Sequence, residues 1–287
     1  MVELQDTRPE YGVPLELVGF RGVRRRVRID SPEGPIDLDL SIDVYVSIGS
    51  ERRGAHLSRH VEAVDAPLRS YRSIESYLEA VADTLLSKHS YADKVMVKAS
   101  TVYYVDVEYA GIRGREPVEV EVEVVKDRNG GRRWTVSVTV RAITVCPSAQ
   151  ATIASLQPGY DGLPAPSHVQ RVRITGRVTT PAKMVRIEDI ARALWDSASA
   201  PVFTLLKRSQ EARLVYEAHR RPRFAEDVAR HAIVGLARRL VGRVPEDTVL
   251  EAEVDSEESI HPHNVYAYTR ATIKQILAVD RNLDVVE

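Results

Sequence analysis

An α+β chain built of two similar halves is predicted, on three observations. Long stretches alternate apolar and polar residues with period two, blocks between them carry helical periodicity, and the outline of strand, helices and strand pair occurs twice. No sequence repeat accompanies the duplicated outline, so the halves, 1–150 and 151–287, are expected to be related in structure alone.

Residues 15–30 mix Val, Leu and Ile with Arg in a strand-like way, and Ser31-Pro32-Glu33-Gly34 supplies turn chemistry. Ile36, Leu38, Leu40, Ile42, Val44, Val46 and Ile48 then alternate with Asp37, Asp39, Ser41, Asp43, Tyr45 and Ser47. A helix would scatter that set around its circumference, so the stretch is a strand with one buried face. From Ser73 the spacing changes to three and four at Ile74, Tyr77, Leu78, Val81 and Leu85, a helix with Ser73 as its N-cap that ends near Lys88-His89. Alternation returns over 95–109 and at Val118, Val120, Val122 and Val124; Asp127-Arg128-Asn129-Gly130-Gly131 is a hairpin turn into Val136, Val138 and Val140. Residues 147–166 hold four prolines and two glycines and read as a long irregular connection. The second half then gives a strand over 168–178, helices near 187–197, 200–218 and 223–242, and strands at 249–254 and 265–277. Each half is expected to be an antiparallel sheet with helices on one face.

Composition narrows the function classes. At 44% hydrophobic and 28% charged residues the chain is globular, and no apolar run reaches the roughly 20 residues that span a bilayer. Met-Val-Glu-Leu-Gln-Asp lacks a signal-peptide pattern, so a cytoplasmic protein without membrane partners is expected. Forty basic against 41 acidic side chains argue against a nucleic-acid binder, which needs a basic excess. Arg outnumbers Lys, a composition compatible with ion-pair networks, and Arg24-Arg25-Arg26 reads as a solvated strand face. Cys146 is alone, which excludes an internal disulfide.

Reactive side chains concentrate where regular elements end: Cys146-Pro147, Ser167-His168, Lys207-Arg208 through Glu211, and Glu258-Ser259-Ile260-His261-Pro262-His263. On extended backbone His261 and His263 face one side, which suits either a shared pocket or a pair of surface histidines. One Cys, one or two His and one Glu make a credible set for Zn²⁺ or Fe²⁺, and their scattered spacing suits a catalytic site assembled by the fold. The competing reading makes Cys146 a nucleophile with His168 as its base, although no Gly-rich helix entry accompanies the thiol in sequence.

Taken together, Leu4-Gln5-Asp6, Arg53-Gly54-Ala55-His56-Leu57-Ser58-Arg59, Val145-Cys146-Pro147, Ser167-His168-Val169-Gln170-Arg171, Leu206-Lys207-Arg208, Pro222-Arg223-Phe224-Ala225-Glu226-Asp227 and Glu258 to His263 resemble the GTP cyclohydrolase IB family and its archaeal MptA-type relatives, in family order. The resemblance implies tandem tunnelling-fold units, homo-oligomers (dimers or tetramers) built as barrels, and GTP as substrate. It implies metal-dependent opening of the guanine imidazole ring with loss of C8 as formate. By motif, Cys146, His168, Glu211 and His261 resemble the metal ligands, with Glu217 an alternative to Glu211. One Fe²⁺ per subunit is the expected cofactor, Zn²⁺ or Mn²⁺ the alternatives; such a metal lowers the pKa of its water to about 7. Cys146, Glu258 and His263 are the expected catalytic residues, Glu226 the guanine anchor, and His56 and Arg59 part of the substrate pocket. The expected product is 7,8-dihydroneopterin 2′,3′-cyclic phosphate for a methanopterin-type cofactor. The triphosphate of folate synthesis, and a non-catalytic purine or pterin binder on the same fold, are the alternatives. His60, His89, His219 and His231 are expected to be structural.

Overall fold

The computed structural model describes residues 3–31, 34–67, 70–157, 159–160, 163–181 and 185–279. Pro32 and Glu33 of the expected turn, and Pro158 and Gly162 of the expected irregular connection, lie outside them. The chain divides into two compact units: Met1–Thr101 with Glu121–Val136 and Thr180–Met184, and Val102–Val120 with Ser137–Thr179 and Val185–Glu287. The division cuts three long strands, β4 (Lys94–Tyr109), β5 (Ile112–Asp127) and β6 (Arg132–Val145), so each unit owns part of each.

In the first unit β1 (Leu15–Ser31) and β2 (Gly34–Ile48) form an antiparallel pair in which Val27 faces Leu38 and Arg26 faces Asp39. The outward residues of this pair are ion-paired: Arg26 with Asp39 and Arg28 with Asp37, each at 2.8 Å. A two-residue strand, β3 (Ser70–Tyr71), runs parallel to β1, and β2 pairs with β4 on its other side. The helices are α1 (Leu57–Asp65) and α2 (Ile74–Lys88). Ser73 caps α2 by accepting the Ser76 N–H at 3.2 Å, and the predicted apolar stripe, Ile74 to Leu85, is buried. Arg128 closes the far end, donating to Leu86 O, His89 O and Ala92 O, which satisfies carbonyls the helix cannot pair itself.

The second unit carries β7 (Val169–Thr180), β8 (Ala200–Pro201), β9 (Val249–Glu257) and β10 (Val265–Thr272); β7 and β10 flank β9 antiparallel, and β8 pairs with β6. Its helices are α3 (Pro147–Leu156), α4 (Ile187–Ser197), α5 (Arg208–His219), α6 (Ala225–Leu240) and α7 (Ile273–Val279). Helices α4 and α6 lie on the sheet so closely that a Cβ at Gly176 would stand 3.0 to 3.3 Å from Leu194, Ile190 and Leu236. No helix among the described residues is long and apolar enough to cross a membrane.

Three local expectations are corrected. Residues 147–156 are a helix, because Cys146 caps it and Pro147, whose missing N–H costs nothing there, opens it. Residues 200–207 are not helical: Pro201 pairs with Ala142, and the buried Glu116 carboxylate accepts both the N–H and hydroxyl of Thr204, at 2.9 and 2.6 Å. The last strand stops at Thr272, where Thr272 and Gln275 cap each other reciprocally and start α7.

Gly19 sits between two register shifts of the β1–β2 pair, and a Cβ there would lie 1.7 Å from Val44 O. Because that atom is backbone, Gly19→Ala is expected to destabilise the fold by about 1–3 kcal/mol or more. A urea midpoint equal to that of the parent would show that β1 shifts without cost.

Candidate active site

Strand β6 ends at Val145, and the peptide groups of Val145 and Cys146 leave the sheet ladder for four different partners. Val145 N–H donates to Ser199 Oγ at 3.1 Å, and Val145 O accepts from Arg223 N–H at 2.9 Å. Cys146 N–H donates to His168 O at 3.2 Å, and Ser167 Oγ donates to Cys146 O at 2.7 Å. Cys146 and His168 are thereby held as neighbours. The Cys146 sulfur accepts the Ala149 N–H at 3.5 Å from the first turn of α3. No helix entry beside the thiol is readable from residue types alone; the structure supplies one.

His168 rests on Gln170, which is 7% exposed. With its amide nitrogen turned toward acceptors, Gln170 reaches Thr144 O at 3.3 Å, His168 O at 3.2 Å and His168 Nδ1 at 3.3 Å. A buried amide tied to both backbone and ring fixes the imidazole's orientation.

The segment Glu258–His263 follows β9 and is a bent loop, which corrects the extended backbone expected there. The two imidazoles nevertheless share a side, stacked at 5.3 Å between centroids and 8° between planes. Both are exposed, whereas Glu258 is half-buried and accepts from Ser256 Oγ at 3.0 Å. Arg171 faces Glu257, so this loop leaves β9 at the sheet end where β7, preceded by His168, begins.

Helix α5 approaches from the other side. Leu214 and Ala218 pack with Val145, Ile112 and Ala200, and His219 Nε2 lies 3.4 Å from Ser167 O. Glu211 is eight residues before His219, about 12 Å along the axis and about 80° round the helix, and is exposed. Glu217 points about 200° away from His219 and pairs with Arg220 at 3.6 Å. Glu226 is exposed in the first turn of α6, beside the half-exposed Phe224. Among the described residues, Cys146, His168, Glu211 and His261 do not form a group with ligand atoms within 4.8 Å of one another.

One group that does is Glu3, Asp6 and His56, in the first unit. Here His56 spends both ring nitrogens, Nδ1 at 3.2 Å from Glu3 and Nε2 at 2.9 Å from Asp6. Arg52 also pairs with Asp6 and lays its guanidinium 3.6 Å from the centre of Tyr91. The bond from His56, and then the Arg52 charge, hold the Asp6 carboxyl below its ordinary value. A metal would have to displace Arg52 and leave one imidazole nitrogen idle, so the geometry is an ion-pair clamp. It reaches inward: the His56 N–H lies 3.4 Å from Tyr91 Oη, and Tyr91 Oη 2.7 Å from His89 Nδ1. Arg59 donates to Lys88 O at 3.3 Å. His60 and His89 are fully buried with ring centroids 4.5 Å apart, in keeping with the structural role expected of them. Sequence reasoning does not single out Glu3 or Asp6 as side chains, although Leu4-Gln5-Asp6 is among the family-like segments; the contacts that define them reach some 50 residues along the chain.

Comparison with known proteins gives a consistent picture. The family described as "Type I GTP cyclohydrolase folE2" matches residues 1–267. A protein of Aeropyrum pernix named GTP cyclohydrolase MptA is 50% identical over 277 residues, which is 96% of this chain and 97% of that one. GTP cyclohydrolase MptA 1 of Methanocella arvoryzae is 32% identical over 299 residues, covering 96% and 94%. Among solved structures, the uricase of Arthrobacter globiformis superposes with a TM-score of 0.53 at 8% identity, covering 90% of this chain and 93% of that one. That likeness bears on the fold alone, and it places the chain in the α+β tunnelling-fold class expected from the sequence.

The histidine pair makes a pH prediction. Burial, reinforced by the charges of His60, Arg59 and nearby groups, pushes His89 down to about 4, and burial also lowers His60. Unfolding exposes both to protonation near the ordinary 6.5, so the unfolded chain binds more protons between these values. Stability is therefore complete above pH 6.5 and declines as pH falls toward 4, with His89 contributing on the order of 3 kcal/mol. Urea titrations at pH 7.5, 6 and 5 should show the midpoint falling, and less steeply in His89→Phe. Equal slopes in parent and variant would remove His89 as the cause.

Proposed function

This chain belongs to the type I GTP cyclohydrolase family, and we propose that it is the enzyme that opens the imidazole ring of GTP and releases formate. The observation that supports the reading is the backbone hydrogen bond joining Cys146 to His168 at the end of β6, while the Glu258–His263 loop leaves β9 at the sheet end where β7 begins; all three are segments on which the family resemblance rests. The product we propose is 7,8-dihydroneopterin 2′,3′-cyclic phosphate, in support of which stand the MptA names of its relatives. The triphosphate is the second reading. The halves 1–150 and 151–287 are proposed as the two tunnelling modules, assembled in a homo-oligomer.

Cys146, His168 and His261, with Glu211 as the fourth donor, would hold one Fe²⁺, with Zn²⁺ or Mn²⁺ as alternatives. Cys and His suit such an ion, and the Cys146–His168 pair fits it, rigidly placed by the backbone hydrogen bond between them. A bound divalent ion supplies Lewis acidity and an activated water at neutral pH. The remaining work falls to the chain. Glu226 accepts the adjacent N–H donors of guanine in a paired hydrogen bond. Glu258 and His263 take up and return the protons that C8 attack and formate departure require, with Ser256 holding the Glu258 carboxylate in place. His56 and Arg59 belong to the substrate pocket, the former oriented by its two carboxylates.

Anaerobic incubation with GTP and Fe²⁺ should yield formate and one pterin whose mass is that of the cyclic monophosphate. A triphosphate mass would replace the product, and absence of formate with Fe²⁺, Mn²⁺ and Zn²⁺ would sink the reaction. Cys146→Ala and His261→Ala should each lower turnover by at least ~100-fold with melting temperature retained. A variant with full turnover would remove its residue from the metal set.

A further inference from the structure

Helix α3 starts at the cysteine, yet no buried face holds it against the rest of the unit. Every other α-helix buries apolar side chains, whereas no side chain of α3 is buried. Its inward residues, Ala149, Gln150 and Ile153, are only half-buried, and Leu156 is 75% exposed. Most helices in folded proteins are held by packing of an apolar face, so this one must take its place from polar contacts. Among the described residues, Gln150 is the one side chain of α3 that hydrogen-bonds to another part of the chain. Ser155 Oγ donates within the helix, to Thr152 O.

The Gln150 amide nitrogen spends its donors on two main-chain carbonyls, Ala165 O and His219 O, each at 2.9 Å. Only an N–H group can face two carbonyl oxygens, so the partners set the orientation of the amide. Ala165 is buried and lies in the segment that leads to His168. His219 ends α5, where the last carbonyls have no partner inside their own helix. One side chain therefore joins the helix that starts at Cys146, the segment that carries His168, and the helix that carries Glu211.

The main chain closes these ties into a ring. Gln150 N–H and Ser167 Oγ both donate to Cys146 O, at 3.2 and 2.7 Å. Ser167 O lies 3.4 Å from His219 Nε2, and His219 O accepts from Gln150 Nε2. Cys146, Ser167, His219 and Gln150 thus hold one another in turn. The neighbours of Gln150 on the inward face, Ala149 and Ile153, have no side-chain donor that could replace it.

We propose that Gln150 is a positioning residue of the candidate active site, fixing the Cys146 thiol relative to His168 and α5. Its consequence for the reaction rests on Cys146 and His168 being metal ligands, whereas the placement of the thiol rests on hydrogen bonds alone.

Cys146 is the only cysteine, so alkylation of the full-length, metal-free protein by iodoacetamide reads the surroundings of that thiol directly. Gln150→Met keeps the length of the side chain and removes its donors. Loss of two hydrogen bonds should free the helix start and raise the alkylation rate at least ~10-fold. The rise should be insensitive to low urea, as local opening is. The second readout is anaerobic titration with Co²⁺. The parent should bind the ion with a thiolate-to-cobalt band in the near ultraviolet. The variant should bind it at least ~10-fold more weakly, with that band reduced. Equal alkylation rates in parent and variant would overturn the proposal. So would a rise that grows steeply with urea, which marks global unfolding. Faster alkylation with Co²⁺ binding and band unchanged would also overturn it, by leaving Gln150 a merely structural contact. A parent without the cobalt band, beside a variant that is alkylated faster, would remove Cys146 from the metal set and leave its placement by Gln150 standing. Should Gln150→Met not fold, Gln150→Glu carries the same test, since an ionised carboxylate has no proton to give either carbonyl.

Discussion

The two peptide groups at the end of β6 are the point through which the second unit is tied together. Val145 and Cys146 offer two donors and two acceptors, and each is claimed by a different segment residue: Ser199, Arg223, His168 and Ser167. A buried backbone group left without a partner costs about 1–3 kcal/mol, so the four bonds specify one arrangement rather than merely adding to stability. They fix the entry to β7, the turn after α4 and the entry to α6 relative to a single cysteine. Pro147 then opens α3, which leaves the sulfur at a helix start.

Charge is handled differently in the interior and on the strands. The outward faces of β1 and β2 are polar, and Arg26, Arg28, Asp37 and Asp39 neutralise one another across the pair, where exposure keeps each contact worth little singly. Beneath α1 and α2, His60 and His89 meet no carboxylate among their hydrogen-bond partners. His60 meets backbone carbonyls of His56 and Val18 with its two nitrogens, and His89 Nε2 has no partner among the described residues. Burial keeps both rings in the neutral form, against the two carbonyls that face His60, and the cost of charging them falls due on acidification. This buried pair is linked through Tyr91 to the His56 clamp, so the pocket expected at His56 rests on a layer whose packing is tied to pH.

How legible was this in the sequence? Period-two alternation found β2, β4, β5 and β6 because one face of each is buried, and Ser73 announced α2 because its hydroxyl accepts the Ser76 N–H. The reciprocal pair Thr272 and Gln275 carried an equally local signal, overridden by the apolar run through Ile276. Helix α3 was not readable in this way: its start depends on the clamp at Cys146, and its opening proline resembles those of a loop. At the candidate site the motif residues were legible one by one, yet their convergence was not. That Cys146 meets His168 follows from a backbone bond between distant segments, and that the His261 loop starts at the sheet end where β7 begins follows from the β7–β9 register. The long strap of Glu3 and Asp6 to His56 is likewise a tertiary fact.

The exposure of the remaining donors carries the last step. Cys146 and His168 are half-buried and fixed, whereas Glu211, Glu226, His261 and His263 face solvent. A carboxylate in water exchanges its hydrogen bonds to guanine for those to solvent at little gain, and an imidazole in water moves protons to the nearest water. For these residues to do the chemistry proposed for them, a second surface must cover them. Phe224, Ile260, Tyr266 and Tyr268 are exposed apolar side chains near Glu226 and the His261 loop in sequence, and β10, at the end of its sheet in this chain, carries the two tyrosines. Apolar groups of that size set among functional polar ones are what a protein interface presents before it is closed. Assembly into the proposed homo-oligomer would then exclude water from the open side of a site whose other side the β6 clamp has already built.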